Sequence, residues 1–209
     1  MIELYTWDTP NGQKIPVMLE ECGLPYTLQP VDISKGEQDS PAFRAINPNG
    51  KIPAIVDRRP EGDVTVFESG AILIYLAERS GKLMPAEPAQ RTACLSWLFW
   101  QIGGLGPMVG QWGFFSRQKD APNPPALQRY FDESVRLLSV LDARLGVAPY
   151  LAGDYSIADI ACYTWAKGGL RTIGEKHPQV PTQFASLNRW IAQIDARPAV
   201  QAGMNALRR

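Results

Sequence analysis

The stretch "YTWDTPNGQKIPVMLEE", residues 5–21, joins an apolar run to a segment with helical periodicity. Ile2–Trp7 predicts a strand, and the turn Thr9–Gly12 separates it from a helix predicted over Gln13–Cys22. One face of that helix carries Ile15, Met18, Leu19 and Cys22. A strand, a tight turn and a helix in this order are typical of the start of an α/β unit. The residues of this turn therefore determine which polar groups lie at the N-terminus of the helix.

The same alternation of strand and helix signals continues to about residue 80. Tyr26–Val31 predicts the second strand, and Ser40 with Pro41 starts a short helix as its cap and first residue. The segments "KIPAIVD" (51–57) and "VTVFES" (64–69) predict two strands joined by the turn "RRPEGD". A further helix begins near Ser69 and ends at Gly81. The order β-α-β-α-β-β-α predicts a small α/β domain with a mixed sheet.

The second half of the chain shows helical periods and no convincing strand. It follows the proline-punctuated stretch "SGKLMPAEPAQ", residues 80–90. We therefore predict an α/β domain over residues 1–81, a linker over 82–88 and an all-helical domain over 89–209. The helical periods cover Ala89–Arg117, Leu127–Leu145, Ala158–Leu170, Phe184–Ile194 and a short segment after Pro198.

Composition argues against several functional classes. The 209 residues are 45% hydrophobic and 20% charged, and Lys+Arg equals Asp+Glu, so we expect a globular protein that does not bind nucleic acid. Cys22, Cys94 and Cys162 lie far apart and form no C-x-x-C pair, which predicts buried thiols in a reducing cytoplasm. No signal peptide is apparent. His177 is the only histidine, so neither a histidine triad nor a metal site is expected.

The segment Thr92–Ser116 carries no formal charge and admits two interpretations. Its Gly106 and Gly110 match the small-residue spacing of packed membrane helices. However, Gln101 and Gln111 lie inside it, and "GGLGP" would interrupt a helix midway. We favour a kinked helix buried against other helices over a membrane span.

The same segment bears on the oligomeric state. Its apolar stretch is long for one small helical domain to cover by itself. We therefore expect a symmetric homodimer with the Leu95–Met108 helix near the two-fold axis.

The motif "YSIADIA" contains a serine and an acid that suggest either catalysis or a helix cap. Ser156 stands at an N-cap position, Asp159 follows at the third helical position, and Tyr155 with Ile160 can form the flanking apolar contact. The capping box is the stronger interpretation, so Ser156 and Asp159 are predicted to be structural.

Candidate ligand-binding groups gather in the first half of the chain. The Thr9–Gly12 turn presents helix N–H groups and a positive dipole end, which favour an anion such as a thiolate. Gln38 offers an amide just before the second helix. Ile52 precedes Pro53, and a cis bond there would expose the Ile52 backbone instead of pairing it in the sheet. Each piece alone is also compatible with an ordinary turn or cap.

Glu68 and Ser69 form the fourth piece, at the start of another helix. A helix N-terminus binds carboxylates, but an adjacent glutamate repels them. A ligand with an α-amino acid end resolves this conflict, because its carboxylate fits Ser69 and its ammonium group fits Glu68.

Taken together, these motifs resemble the glutathione S-transferase superfamily. In the first half the resemblance is carried by "TPNG", "KGEQ", "INPNGKIPAI" and "FESGAILIYLAE", and in the second half by "LFWQIGGLGPM" and "YSIADIA". "TPNG" together with "WLFWQIGGLGPM" is similar to the bacterial nu class. The resemblance covers essentially the whole chain. It implies a thioredoxin-like glutathione-binding domain, an all-α C-terminal domain, a homodimer, and glutathione as cosubstrate.

The resemblance also implies roles for individual residues. The γ-glutamyl end of glutathione is expected on Glu68 and Ser69, and its cysteinyl backbone on Ile52. The sulfur is expected over Thr9 and Asn11, the predicted catalytic pair, which are neutral and would stabilise a thiolate by donating hydrogen bonds. The remaining implied contacts are Gln38, Lys51 and Arg129, the last reaching the glycyl carboxylate in its own or the partner subunit.

A thioredoxin-type domain carries reactive cysteines at the turn after its first strand, and this chain has none there. The thiol is therefore expected to come from glutathione. The resemblance implies reduction of disulfides, with glutathione disulfide or two glutathiones as ligands. Conjugation to a small electrophile and peroxide reduction use the same thiolate, so the motif does not separate these activities. The alternative is a regulatory protein that binds glutathione without catalysis.

Overall fold

A four-stranded mixed sheet organises the first part of the chain in the computed structural model, which describes residues 1–119 and 122–207. Its strands lie in the order β2-β1-β3-β4. β1 runs parallel to β2, whereas the β1–β3 and β3–β4 pairs are antiparallel. The predicted mixed sheet is confirmed. The strands are β1 (Ile2–Thr6), β2 (Tyr26–Pro30), β3 (Ala54–Asp57) and β4 (Val64–Phe67).

Three helices belong to this sheet: α1 (Pro10–Cys22), α2 (Pro41–Ile46) and α3 (Ser69–Ser80). α2 and α3 begin where the sequence predicts, and Gly81 ends α3 in the left-handed conformation. α1 begins three residues before the predicted Gln13, because Thr9 is its N-cap and Pro10 its first residue. A 3₁₀ turn over Glu37–Asp39, which the sequence pattern does not indicate, precedes α2.

α1 contains a proline, and the carbonyl group that loses its helical hydrogen bond has another donor. Pro16 has no N–H to donate to the carbonyl of Gly12, four residues earlier. The buried hydroxyl of Thr6 donates to that carbonyl instead, at 3.2 Å. The end of β1 thus supports the first turn of α1.

The C-terminal helix α9 (Pro198–Ala206) packs against α1. A Cβ added at Gly203 would lie 2.6 Å from backbone atoms of Val17, so the two helices approach as closely as glycine permits. Arg197 donates two hydrogen bonds to the Glu21 carboxylate, at 2.6 and 2.8 Å. By contacts, Met1–Met84 and the segment from Ala196 form one compact unit. The predicted division assigns that segment to the helical half instead.

Pro85–Asp195 form the second unit, which is helical. Between α4 (Pro88–Trp100) and α5 (Gly106–Phe115) the chain stays helical through a π-helical turn over Gln101–Leu105, where the sequence suggests an interruption. None of the helices in residues 1–119 and 122–207 has both the length and the apolar character needed to cross a membrane. The predicted domain end at residue 209 lies outside the described residues. The helices of this unit are α4 (Pro88–Trp100), α5 (Gly106–Phe115), α6 (Pro124–Val147), α7 (Ile157–Gly174) and α8 (Ala185–Asp195).

Asp159 belongs to this second unit and is 0% exposed. One carboxylate oxygen accepts hydrogen bonds from the backbone N–H and the hydroxyl of Ser156, at 3.1 and 3.2 Å. The other accepts from the Leu151 N–H at 3.1 Å and from the Trp190 indole at 2.9 Å. Burial nevertheless raises the pKa of Asp159 to about 6. Ser156 and Asp159 form a capping box that also ties α7 to α8.

Candidate functional site

A cavity of about 170 Å³ opens between the first turn of α1 and the first turn of α3. It brings together residues that lie as far apart as positions 11 and 69 in the sequence. All but one of its lining residues are among those singled out in the sequence. The lining consists of Asn11, Asn47, Lys51, Ile52, Pro53, Glu68 and Ser69.

Thr9 caps α1 two residues before Asn11 enters the cavity. Its hydroxyl oxygen accepts the Gly12 N–H at 3.1 Å, which leaves the hydroxyl hydrogen to donate to another group. Gly12 is required at this point, because an added Cβ would lie 2.0 Å from the Trp7 carbonyl oxygen. The tight first turn therefore holds Thr9 and Asn11 at the exposed end of the helix dipole.

The loop before β3 forms one wall of the cavity. Buried Asn47 shapes it, since its amide donates to the Lys51 carbonyl at 2.6 Å and its carbonyl oxygen accepts the Asn49 N–H at 3.0 Å. The Ile52–Pro53 peptide bond is cis, as predicted. Ile52 lies before the first residue of β3. Asn47 is not among the predicted site residues, although "NPNG" is a recognisable asparagine-initiated turn.

Glu68 and Ser69 form the opposite wall at the start of α3. Glu68 has φ 70° and ψ 119°, a conformation that costs a non-glycine residue roughly 1–3 kcal/mol. Its exposed side chain makes no capping hydrogen bond to the helix. Ser69 is only 4% exposed and is the first helical residue, so its N–H has no partner within α3. A carboxylate thus lies beside a helix N-terminus that no side chain caps.

Lys14 is the second cavity-related residue that the sequence analysis missed. It is 0% exposed, and its Nζ donates a hydrogen bond to Ser69 Oγ at 3.1 Å. Its position along α1 places it on the predicted apolar face, four residues before Met18. The sequence signal that could have identified Lys14 is a lysine on an otherwise apolar helix face.

Two predicted contacts, Gln38 and Arg129, are not among the residues that line this cavity. Gln38 is in the 3₁₀ turn, where its amide donates to Asp39 at 3.1 Å. Its buried Oε1 accepts no hydrogen bond from any described residue. Arg129 lies on α6 in the second unit and lines a separate open groove of about 510 Å³.

The protein thiols lie inside the two units. Cys22, Cys94 and Cys162 are all buried, which confirms the predicted burial of the thiols. Burial raises the pKa of both Cys22 and Cys94, so neither forms a thiolate readily. Within the described ranges, no group of three or more His, Cys, Asp or Glu side chains is arranged to hold a metal.

A thioredoxin-like sheet followed by a helical region, with a cavity at the starts of α1 and α3, defines the class of the protein. Residues 9–79 match the family model for the glutathione S-transferase N-terminal domain. The chain belongs to the glutathione S-transferase family.

Individual relatives agree with this assignment along most of their length. The chain is 46% identical over 203 residues to the disulfide-bond oxidoreductase YfcG of Escherichia coli, covering 95% of this chain and 92% of that protein. It superposes with TM-score 0.92 on a Pseudomonas putida glutathione transferase with one glutathione disulfide bound per subunit, at 43% identity over 97% and 90% of the two chains. A Pseudomonas fluorescens family member with two glutathiones bound gives TM-score 0.90, with 43% identity over 97% and 92%.

Proposed function

We propose that this protein is a glutathione-dependent enzyme that reduces disulfides with thiols supplied by glutathione. The observation that carries the proposal is that one cavity contains both the Glu68 carboxylate and the N-terminus of α3, which no side chain caps. An anion alone would be repelled by Glu68, and a cation alone would be repelled by the helix dipole. An α-amino acid end, such as the γ-glutamyl group of glutathione, satisfies both.

The tripeptide is proposed to extend from this point towards α1. Its α-carboxylate accepts hydrogen bonds from Ser69, and its ammonium group pairs with Glu68. Its cysteinyl backbone pairs with Ile52 in the manner of an added strand. The sulfur then lies near Asn11, which lines the cavity, and near the hydroxyl of Thr9, the N-cap of the same helix. The candidates for contacts to the rest of the tripeptide are Gln38, Lys51 and Arg129.

The proposed reaction needs no protein thiol. The thiolate of one glutathione attacks a sulfur of the substrate disulfide, which forms a mixed disulfide and releases one substrate thiolate. The thiolate of a second glutathione then attacks the glutathione sulfur of that mixed disulfide. This step forms glutathione disulfide and releases the second substrate thiolate. Two glutathiones supply the two electrons, and the released thiolates take protons from solvent.

Two further findings support this assignment over two-step exchange through a protein cysteine. The buried thiols of Cys22 and Cys94 have raised pKa values. The E. coli relative is named a disulfide-bond oxidoreductase, and the two Pseudomonas relatives hold glutathione disulfide or two glutathiones. Three protein thiols that remain buried also favour a reducing cytoplasm as the working compartment.

The proposal is tested by mixing the protein with glutathione and 2-hydroxyethyl disulfide and measuring glutathione disulfide formation. Turnover above the uncatalysed rate is expected, and Asn11→Ala should lower it. Parallel assays with 1-chloro-2,4-dinitrobenzene and cumene hydroperoxide measure conjugation and peroxide reduction. Glutathione binding by calorimetry without turnover in any assay would favour the regulatory alternative instead.

We also propose that the protein is a homodimer. Phe99 on α4 and Phe114 on α5 are 63% and 53% exposed, although both belong to an uncharged stretch. Exposed aromatic side chains on such a stretch are suited to an interface between copies. Analytical ultracentrifugation at micromolar concentration should give the mass of a dimer, and a monomer mass would contradict the proposal.

A further inference from the structure

Lys14 is a buried lysine that has no role in the proposed binding mode. Among residues 1–119 and 122–207, it is the one lysine or arginine in the buried set. Removing an amine from water is costly unless the group makes compensating contacts. Its Nζ donates to Ser69 Oγ at 3.1 Å, and Ser69 lines the cavity. A costly buried group thus ends on a residue that lines the cavity.

The direction of this hydrogen bond limits what Ser69 can do. A serine hydroxyl has one hydrogen to donate and two lone pairs to accept with. Because Lys14 donates, the Ser69 oxygen is the acceptor and its own hydrogen must point elsewhere. Ser69 borders the cavity, so the hydroxyl can donate into it alongside the helix N–H groups.

We infer that Lys14 is a positioning residue that holds the Ser69 hydroxyl as a donor towards the α-carboxylate of the γ-glutamyl group. The inference rests on the proposed function and divides the recognition of that group between two residues. Lys14 acts through Ser69 on the carboxylate, whereas Glu68 acts on the ammonium group. Neither is expected to contact the thiol.

This division predicts a ligand-specific effect of Lys14. Lys14→Met keeps an unbranched side chain of similar length and removes the donor. It should weaken glutathione binding by ~10- to 100-fold, as loss of a charge-assisted hydrogen bond does. It should change binding of 4-aminobutyryl-cysteinyl-glycine, which lacks the α-carboxylate, by no more than about twofold.

The experiment is calorimetry with both peptides on the full-length wild type, Lys14→Met, Ser69→Ala and the double variant. Because Lys14 acts through Ser69, the double variant should bind glutathione about as weakly as the weaker single variant. Lys35→Met is the matched control, since it removes a lysine from the same unit at an exposed position paired with Asp32. It should leave both affinities unchanged.

The possible results separate this inference from the proposed function. Wild type that does not bind glutathione refutes both. Tight glutathione binding by a folded Lys14→Met, or equal loss of both peptides, overturns the Lys14 inference and leaves the proposed function standing. If Lys14→Met does not fold, Lys14→Gln, which retains an amide donor, is measured instead. It should show a smaller, still carboxylate-specific loss, and an equal effect on both peptides would overturn the inference.

Discussion

Two helices of this protein begin with a serine and an acidic residue, and the two ends are built in opposite ways. At α7, Asp159 is 0% exposed and accepts hydrogen bonds from Leu151, Ser156 and Trp190. At α3, Glu68 is exposed, has φ 70° and makes no capping hydrogen bond. The first end is completed by the protein itself. The second is left open beside a cavity.

This difference separates an acid that stabilises the fold from an acid that we propose binds a ligand. An acid that satisfies buried donors stabilises the native state, and its removal leaves those donors unpaired. An acid held in a strained conformation without a capping bond adds little to stability. Such strain persists where the surrounding structure imposes it, and it is found at ligand-binding positions.

Asp159→Ala should lower the free energy of unfolding by ~3–5 kcal/mol, because several buried donors lose their common acceptor. Glu68→Ala is the matched variant at the other helix start, and it should cost less than about 0.5 kcal/mol. Urea unfolding followed by circular dichroism measures both. Similar losses in the two variants would remove the distinction between the two helix ends.

Asp159 should also make stability depend on pH, because its pKa of about 6 lies above the ordinary aspartate value of 3.8. The native state then holds the proton more tightly than the unfolded state, so this contribution is complete below pH 4 and is lost as pH rises through 6. The difference in unfolding free energy between wild type and Asp159→Asn should therefore fall by roughly 2–2.5 kcal/mol between pH 4 and pH 7.

Glu87, which caps α4, supplies a control of opposite sign. Backbone N–H groups of Ala89 and Gln90 lower its pKa, so its contribution is present at neutral pH and lost as pH falls. The difference in unfolding free energy between wild type and Glu87→Gln should thus become smaller at low pH. For Asp159→Asn, a difference in unfolding free energy from wild type that stays constant across pH 4–7 would show that the buried carboxylate ionises normally.

Glu68→Gln should weaken glutathione binding by roughly 10- to 150-fold, equivalent to ~1.5–3 kcal/mol, because the ligand ammonium loses its charged partner. Unfolding stability should not change. Calorimetry with glutaryl-cysteinyl-glycine, which lacks the amino group, is the control and should show no effect of the substitution. An unchanged glutathione affinity would place the ammonium group elsewhere.

Bound glutathione should ionise more readily than free glutathione. Hydrogen bonds from Thr9 and Asn11, together with the α1 N-terminus, should lower the thiol pKa by about one to two units, or ~1.4–2.7 kcal/mol. The ultraviolet absorbance of the thiolate, titrated against pH, measures this shift. Asn11→Ala should move the titration towards higher pH, and Lys35→Met should leave it in place. Identical titrations for wild type and Asn11→Ala would exclude Asn11 from this role.

The sequence predicted the elements of the fold well, because each rests on local signals. The apolar alternation of β1, the proline after Ser40 and the left-handed Gly81 lie within the segments they define. The predicted start of α1 is three residues too late, because the pattern of Pro10–Gly12 is typical both of a turn and of a first helical turn. Local signals also suggested the walls of the cavity at Asn11, Ile52, Glu68 and Ser69.

Contacts between distant positions were beyond the sequence pattern. The hydrogen bond from Lys14 to Ser69 spans 55 positions and exists only because α1 and α3 pack together. The position of the segment after Ala196 beside α1 depends in the same way on Gly203 meeting Val17. Periodicity assigns a residue to a face of its helix, but it does not say which other element covers that face.

The smallest expected effect concerns the protein's own thiols. If the thiol belongs to the ligand, Cys22→Ala, Cys94→Ala and Cys162→Ala should each retain wild-type turnover with 2-hydroxyethyl disulfide. Each substitution leaves a small void in a packed interior and should cost roughly 0.5–2 kcal/mol of stability. Alanine is preferred to serine, because a buried hydroxyl would need a new partner. Circular dichroism establishes that each variant folds, and turnover is then compared at saturating glutathione. Loss of turnover in a folded variant would mean that a protein sulfur takes part in the reaction. Retained turnover in all three, with loss in Asn11→Ala, would assign the reacting thiol to the ligand held at the open helix ends.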